Sequence, residues 1–574
     1  MLRQGHAPPS SSIDPRSSHT IEEALSFIRN KTALPHPLGP LLESFVSQAL
    51  HPPLAAAHIL RACRAGEHLE TELLTLVTDW IYIVESITKY GIPPPPANDV
   101  VHKRISMRDG DRCCITGKPA SLRDPLVVLP LLPIPSRWLD AELTYIIHKP
   151  RILDMLRAFF GPPYLDWWLR YVRQPGHFDP HTNRWLVRRS AAEAYKRGLL
   201  TLDRLQPSMV EYRITPCLIG TLEDMIEVVG PFPLLGDHSR YFIPKVDARF
   251  VGTHARMSPS VRWLEVRSQI AQDERISVPC STKHLSSPRS TVMLRLSRFF
   301  SNACLKVWLL VPDIARRTTY NLLKRLGLYL YGGSDAFHVQ RLPFGLYLKT
   351  TTKAGAQNEH DALDTIHRYT SIPAPWALDV VSDGKRTHLL TLRLPGVPLA
   401  HAMDMLSDRD CRDFVSRMQD YVTQLRAIPR PNGGDDSICN IFGDACSDPR
   451  IRDGNPIGPF KDEEAFSRYL RYPDDPARRG HKIVFTHADL NLRNILVDRI
   501  TRPDGTRGWT LVGIVDWENS GFYPEYWDCT KAQFEGSRWD ERWRRALFDV
   551  FRPVGDYSKE LELERKSWRE GDGA

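Results

Sequence analysis

Long apolar runs are missing from this 574-residue sequence. The best candidate, Phe299 to Val311, is short and contains Lys306. A helix that spans a bilayer needs about 20 predominantly apolar residues, so no membrane span is expected. The opening segment, MLRQGHAPPSSSIDPRSSH, has no apolar centre and does not predict a secretory signal.

Cysteines are few for this length, with ten at irregular spacing. Cys113-Cys114 is the one close pair, and no C-x-x-C pair occurs, so a zinc site made of four cysteines is not expected. Such usage favours reduced thiols. We therefore expect a cytoplasmic protein, with the nucleus as the other compartment that fits.

The sequence also lacks a large excess of either sign of charge. The 76 basic and 68 acidic side chains leave a net charge of +8, which permits contact with nucleic acid or anionic lipid but argues for neither. Hydrophobic residues make up 42% and charged residues 25%, as in ordinary folded proteins. The length predicts several domains, and no internal repeat is visible.

Composition and periodicity divide the chain into six segments. Thr20 and Glu23 resemble a capping box that would open a helical segment, and the polyproline run IPPPPAND would end it. The expected segments are 1–19, disordered; 20–98, helical; 99–250, mixed strand and helix; 251–294, linker; 295–326, basic and helical; and 327–574, a large domain that opens strand, strand, helix, strand.

The basic helical segment allows two interpretations. A basic amphipathic helix can bind a membrane surface or a partner. Alternatively, its apolar face packs against the domain that follows, and this is the interpretation we favour.

The chemistry-bearing segment is FTHADLNLRNILVD, followed by LVGIVDWENSGFYPEYWD. Asp489 and Asn494 lie five residues apart, as in the kinase catalytic loop H-x-D-x-x-x-x-N, and Asp516 ends a second apolar strand. Asp504-Gly505 lies between strands at Ile495–Val497 and Leu511–Val515, as suits a hairpin turn. Phosphoryl transfer from ATP needs a carboxylate at the acceptor hydroxyl and oxygen ligands for Mg²⁺. The flanking strands favour this interpretation over ordinary turn residues.

H-x-D-L-x-x-x-N-I-L-V-D followed by G-I-V-D-W-E resembles the aminoglycoside phosphotransferase (APH)/choline-kinase-like family of the kinase-like fold, and is most similar to its fungal members. RLPFGLYLK, TSIPAPWALD, LLTLRLPGVPL and GFYPEYWD are also similar. The resemblance implies that Lys349 contacts the phosphates of ATP and pairs with Glu359. It implies that Asp489 is the catalytic base and that Asn494 and Asp516 bind the metal. The segment YLYGGSDAFHVQRL occupies the position of the glycine-rich loop of kinases, but it contains no G-x-G-x-x-G motif.

The second resemblance lies in the N-terminal half. RDGDRCCITGKPASLRD resembles the opening of fungal HNH-type nuclease domains, and NRWLVRRSAAEAYKRGLLTLDRL resembles their closing helix and strand. HNH chemistry needs a histidine base and further metal ligands. Apolar LVVLPLLPIP replaces the first histidine position, and Ala192 occupies the second. We therefore expect a degenerate HNH-like domain. His177 and His181 are close in sequence and could restore a metal site, but histidines in loops are more often simply solvated.

The expected fold class is α+β and multidomain. It combines a helical N-terminal segment, a degenerate HNH-like domain and a C-terminal bilobal protein-kinase-like (APH) fold. The expected function is ATP- and Mg²⁺-dependent transfer of a phosphoryl group to a hydroxyl of a small-molecule acceptor. The alternatives are a scaffold of kinase-like fold without turnover, and a nucleic-acid-binding protein that acts through the HNH-like segment.

Overall fold

The computed structural model describes most of the chain. The described residues are 15–30, 34–65, 69–94, 96–135, 150–204, 212–216, 234–235, 242–275, 305–332, 338–382, 384, 386–430, 436–448, 450–451, 455–534 and 540–570. They fall into two compact units, Met1–Gln272 and Asp273–Ala574.

The first unit is mainly helical and carries short antiparallel strands. β1 pairs with β3, β2 pairs with β4, and β5, β6 and β7 form a three-stranded sheet. Its helices are α1 Pro15–Asn30, α2 Leu38–Ser47, α3 Pro52–Ala65, α4 Leu69–Ile87, α5 Asp99–Asp109, α6 Pro150–Phe160, α7 Pro162–Arg173, α8 Arg189–Lys196 and α9 Ala248–Asp273. Its strands are β1 Gly91–Ile92, β2 Leu126–Pro130, β3 Ile134–Pro135, β4 Arg184–Arg188, β5 Leu200–Arg204, β6 Tyr212–Pro216 and β7 Leu234–Leu235.

Helices α1 to α4 confirm the helical character predicted for the N-terminal segment. The capping box predicted at Thr20 is wrong, because α1 already begins at Pro15. Proline suits the first turn, since its φ is preset and its missing N–H would have no partner there. Of the segment expected to be disordered, residues 15–19 are therefore helical, and residues 1–14 lie outside the described part.

Helix α9 corrects the expectation of a linker from residue 251 onward. It runs to Asp273 and buries Phe250, Val251, Met257 and Val261. Val266 and Ile270 are buried on the opposite side of the helix, and Pro259 interrupts the pattern, so no 3.6-residue period marks the helix in the sequence. Residues 276–294 of the expected linker lie outside the described part.

The segment that resembles HNH domains contains an antiparallel strand pair, β2 with β4, followed by helix α8. Ala192, at the expected second histidine position, is buried on α8. His181 is also buried, and its Nδ1 lies 2.7 Å from Asp179 Oδ1. The Asp179 carboxylate also accepts the backbone N–H of His181, so this contact closes a turn.

The second unit contains, among its described elements, a four-stranded sheet in the order β10-β11-β9-β8. Two three-stranded sheets follow, β12-β15-β16 and β13-β17-β14. The helices are α10 Asp313–Tyr331, α11 Lys353–Tyr369, α12 Leu399–Ala402, α13 Asp408–Arg426, α14 Glu463–Ser467, α15 Trp527–Phe534, α16 Glu541–Phe551 and α17 Ser558–Glu570. The strands are β8 Val339–Leu342, β9 Leu346–Thr351, β10 Ala377–Ser382, β11 Thr387–Leu392, β12 Val397–Pro398, β13 Cys439–Asn440, β14 Ile483–Thr486, β15 Ile495–Thr501, β16 Arg507–Ile514 and β17 Gly521–Pro524.

Helix α10 packs on the four-stranded sheet through Tyr320, which joins a buried cluster with Leu342, Leu348 and Leu390. The Tyr320 hydroxyl donates to Asp379 Oδ2 at 2.5 Å, so the buried polar group is satisfied. This is the packing that we favoured for the basic helical segment. Residues 295–304 of that segment lie outside the described part.

The strand–strand–helix–strand order predicted for the last domain is confirmed by β8, β9, α11 and β10. The predicted hairpin is also confirmed, because β15 and β16 pair antiparallel around Asp504-Gly505. Both strands are longer than the sequence indicated. Among the described residues, no helix has the length and apolar character needed to cross a membrane.

Candidate active site

The loop between β14 and β15 carries Asp489 and is held by a carboxylate from α15. Asp528 accepts the backbone N–H of His487 at 3.1 Å and that of Ala488 at 2.8 Å. Ala488 has a φ of +61°, a conformation that costs a non-glycine residue roughly 1–2 kcal/mol. The two hydrogen bonds to Asp528 offset this cost. Burial raises the pKa of Asp528, and these backbone donors, together with His487, oppose the rise.

His487 connects this loop to the strand that precedes Asp516. Its ring accepts the backbone N–H of Asp489 at Nδ1 (3.2 Å) and donates from Nε2 to the carbonyl of Val515 (2.9 Å). The backbone N–H of Val515 in turn donates to the carbonyl of Asn494 at 2.9 Å. The imidazole is fully buried. These bonds fix the positions of the two candidate loops relative to each other.

The Asp489 carboxylate is surrounded by three donors. Oδ1 lies 3.1 Å from Asn491 Nδ2 and 3.2 Å from Lys531 Nζ. Oδ2 accepts from Asn494 Nδ2 at 3.1 Å. The same Nδ2 also donates to the Asp489 carbonyl at 2.9 Å. Both hydrogens of the Asn494 amide nitrogen are therefore used, and its Oδ1 is the atom left to meet a cation.

The second cluster gathers three carboxylates around one ammonium. Lys349 Nζ, from β9, lies 2.8 Å from Glu359 of α11 and 3.1 Å from Glu518, and it also pairs with Asp516. Thr351 donates to Glu518 at 3.4 Å. The three carboxylates offer oxygens that lie within 4.8 Å of one another. Such an arrangement can hold either the ammonium or a metal ion.

Two opposing effects set the pKa values in this cluster. Burial disfavours the charged form of each group, and attraction between the ammonium and the carboxylates favours it. Burial lowers the pKa of Lys349, but the three carboxylates outweigh it and raise the value well above the usual range. Burial raises the pKa of Glu359 to about 7, although Lys349 opposes the rise. Burial also opposes ionisation of Asp516, and Lys349 and His487 overcome this and lower its pKa. Asp516 is therefore the most readily ionised of the carboxylates whose pKa is shifted here.

Asn358, the residue before Glu359, ties α11 to the loop after Asp516. Its Nδ2 donates to the carbonyls of Glu518 and Ser520, both at 2.8 Å, and its Oδ1 accepts the N–H of Ile441 at 3.2 Å. Because Asn358 is buried, these bonds replace its hydration. Asn358 thereby connects the helix that carries Glu359 with the segment that carries Glu518 and with Ile441, the residue after β13.

The structure brings the five residues predicted from the sequence into these two clusters. Lys349, Glu359 and Asp516 form one, and Asp489 and Asn494 form the other. The sequence interpretation missed Glu518, Asn358, Asp528 and Lys531, which complete the clusters. Glu518 belongs to the motif G-I-V-D-W-E and Asp528 to GFYPEYWD, but nothing in the local pattern marks Lys531 or Asn358.

Residues 336–563 of the chain match the APH family, which is described as a phosphotransferase enzyme family. These residues form a phosphotransferase-family domain, called the APH domain below. The APH domain contains all five predicted residues and the four that were missed. It also gives the C-terminal part of the chain its kinase-like fold, as the resemblance implied. A search of curated proteins found no match.

Several solved structures are similar to the APH domain at low identity. A GDP complex of an aminoglycoside 2′-phosphotransferase IIIa mutant is 13% identical, covers 42% of this chain and 84% of its own, and has a TM-score of 0.31. A Streptomyces rimosus aminoglycoside phosphotransferase with ADP and streptomycin is 21% identical, covers 42% and 94%, and has a TM-score of 0.28. A Haemophilus somnus protein described as a fructosamine-3-kinase homologue is 13% identical, covers 39% and 75%, and has a TM-score of 0.26.

Proposed function

We propose that the APH domain transfers the γ-phosphoryl group of ATP to a hydroxyl of a small-molecule acceptor. The observation that carries this proposal is the hydrogen bonding of Asp489. A carboxylate has about four acceptor positions, two on each oxygen. Asn491 and Lys531 occupy the two on Oδ1, and Asn494 occupies one on Oδ2. The remaining position on Oδ2 is where an acceptor hydroxyl would donate.

The proposed step is a single displacement at phosphorus. The acceptor oxygen bonds to the γ-phosphorus while the bond from phosphorus to the bridging oxygen breaks, and ADP leaves with that electron pair. The hydroxyl proton passes to Asp489 Oδ2. In a loose transition state this proton moves late, so the main task of Asp489 is to orient the hydroxyl.

Lys349 would contact the phosphates that are not transferred, with Glu359 holding its ammonium in place. The free Oδ1 of Asn494 and the carboxylate of Asp516 are hard oxygen donors of the kind that suit Mg²⁺. The clustering of Asp516 with two further carboxylates supports a cation at this position. When bound there, Mg²⁺ would neutralise charge on the β- and γ-phosphates.

The test is to compare Asp489→Asn with Asp516→Asn in the full chain. Loss of an interaction made mainly in the transition state lowers kcat and leaves ATP affinity intact. For Asp489→Asn we expect kcat to fall by about 10²–10⁴-fold. Asp516→Asn should weaken Mg-ATP binding itself. The matched control is Asp474→Asn, since that side chain is 93% exposed and should change neither quantity.

Turnover is measured as ADP release from Mg-ATP, with water and with a panel of sugars, amino sugars and amino alcohols as acceptors. Affinity is measured by calorimetry with a non-hydrolysable analogue. The competing function is a scaffold without turnover. It would be favoured if the parent bound Mg-ATP but never turned over, or if Asp489→Asn matched the parent rate.

The nucleic-acid alternative depends on the first unit. The sequence NRWLVRRSAAEAYKRGLLTLDRL, which includes β4 and α8, resembles the closing part of an HNH domain, with Ala192 in place of a histidine. Within the described part of the chain, the groups of His, Cys, Asp and Glu that are close enough to share a metal ion all belong to the second unit. We therefore place the chemistry in the APH domain and propose no cleavage activity for the HNH-like segment.

A further inference from the structure

Lys531 is a buried lysine whose ammonium lies against the Asp489 carboxylate. The residue is 6% exposed, and Nζ lies 3.2 Å from Asp489 Oδ1. Asp489 is the hydrogen-bond and ion-pair partner of this ammonium among the described residues. Lysine is rarely buried unless it is paired, because its charge loses hydration. The contact with Asp489 therefore contributes to holding Lys531 in its buried position, together with the attraction of Asp448 and the Phe534 ring, whose centroid lies 5.4 Å from Nζ.

The helix that supplies Lys531 also holds the loop of Asp489. Asp528 and Lys531 lie three residues apart on α15, and side chains at this spacing share one face of a helix. Asp528 binds the backbone of His487 and Ala488, while Lys531 binds the side chain of Asp489. One helix face thus fixes both the main chain and the carboxylate.

Helix α15 is itself anchored by a buried ion pair. Asp448 and Arg450 are both fully buried and lie 2.9 Å apart. Arg450 donates to the Thr530 hydroxyl at 3.0 Å, and Trp527 Nε1 donates to Asp448 Oδ2 at 2.9 Å. These bonds hold α15 at positions on either side of Asp528. They limit the freedom of Lys531 to move away from the loop.

The Lys531 ammonium differs from the two amides that bind Asp489 both in its charge and in the element that carries it. Asn491 and Asn494 are neutral donors and lie on the same loop as Asp489, so they move with it. Lys531 is charged and comes from a different element, and charge-assisted hydrogen bonds are roughly twice as strong as neutral ones. It therefore fixes Asp489 relative to the body of the domain, and it keeps Oδ1 occupied so that Oδ2 faces the acceptor.

We propose that Lys531 is a positioning residue for the phosphoryl transfer, acting through Asp489. This inference rests on the proposed function. It predicts that removing the ammonium leaves Mg-ATP binding unchanged and slows transfer, because the base then samples unproductive orientations. A misplacement of about 1 Å at a catalytic group can cost roughly 10²-fold in rate.

The experiment compares Lys531→Met, Lys531→Arg and the control Lys461→Met in the full chain. Lys461 is matched because it is a lysine of the same domain with an 83% exposed side chain. We expect Lys531→Met to lower kcat by about 10- to 100-fold with less than about a twofold change in KM for ATP. Lys531→Arg keeps the charge and should recover part of the rate, and Lys461→Met should match the parent.

A double-mutant cycle separates positioning from a general structural role. If Lys531 acts through Asp489, then Lys531→Met should cause no further loss in an Asp489→Asn background. An additive loss, an equal kcat for Lys531→Met and the parent, or a rise in KM that accounts for the whole effect would each overturn the inference. If Lys531→Met does not fold, as judged by circular dichroism, Lys531→Gln gives the same comparison.

The failure of this inference is distinguishable from failure of the proposed function. A parent protein that binds Mg-ATP and never transfers phosphate to water or to any acceptor refutes the proposed function, and the role of Lys531 with it. A parent that turns over while Lys531→Met is unaffected refutes the role of Lys531 alone.

Discussion

Replacing Lys349 with methionine should destabilise the ligand-free APH domain locally. Lys349 is the ammonium among three carboxylates, so its removal leaves Glu359, Asp516 and Glu518 facing one another. Removing one partner of a buried ion pair typically costs about 3–5 kcal/mol. Methionine keeps most of the side-chain volume, so the loss is electrostatic rather than a cavity effect.

Two features place the expected cost at the low end of this range. The side chains of Asp516 and Glu518 are 34% and 29% exposed, so water screens part of their repulsion. Glu359 has a pKa of about 7 even beside Lys349, so it can take up a proton near neutral pH once the ammonium is gone. We therefore expect a loss of about 3 kcal/mol, equivalent to a roughly 100-fold change in an opening equilibrium.

Hydrogen-exchange mass spectrometry of the full chain measures this loss where it occurs. Peptides from β9 and α11 should exchange about 100-fold faster in Lys349→Met than in the parent. Peptides from β4 and α8 in the first unit serve as an internal reference. Lys353→Met, on an exposed lysine four residues away, is the matched control and should leave exchange unchanged.

Mg²⁺ provides the second arm of this experiment. Millimolar Mg²⁺ should slow exchange in Lys349→Met more than in the parent, because the cation would replace the missing positive charge. If β9 and α11 exchange at the parent rate in Lys349→Met, the three carboxylates are not held together by Lys349 in solution, and the reasoning fails.

Two further predictions concern stability and pH, both measured by urea unfolding of the full chain. Burial lowers the pKa of His254 from 6.5 to about 3, so the folded state disfavours protonation of this residue. The free energy of unfolding therefore falls as pH drops below 6.5, and the loss at pH 5 is about 2 kcal/mol. His254→Gln should abolish this pH dependence. Burial lowers the pKa of His481, but hydrogen bonds to Glu463 and Glu560 outweigh it and raise the value to about 9. The stabilisation is therefore complete below pH 6.5 and lost as pH rises through 9, so His481→Gln should be less stable than the parent at pH 6 and should match it at pH 9.5; an equal difference at both values would contradict this.

Much of the local structure could be predicted because its signals are local. The helices of the first 90 residues show apolar positions at helical spacing, and the hairpin around Asp504-Gly505 shows two apolar strands with a turn between them. Helix α9 could not be predicted in this way. Its buried residues lie on several faces, so the burial that stabilises it depends on neighbours distant in sequence rather than on an amphipathic pattern.

The sequence by itself determined the candidate loop. Asp489 and Asn494 lie five residues apart, and a flanking strand on each side fixes that loop, so their proximity follows from spacing alone. The tertiary structure decided the rest. Lys531 meets Asp489 because α15 packs beneath the loop. Glu518 reaches Lys349 across 169 positions of chain. Contacts of this kind depend on how helices and strands pack together. The local sequence around a side chain does not indicate which distant residue this packing brings into contact with it.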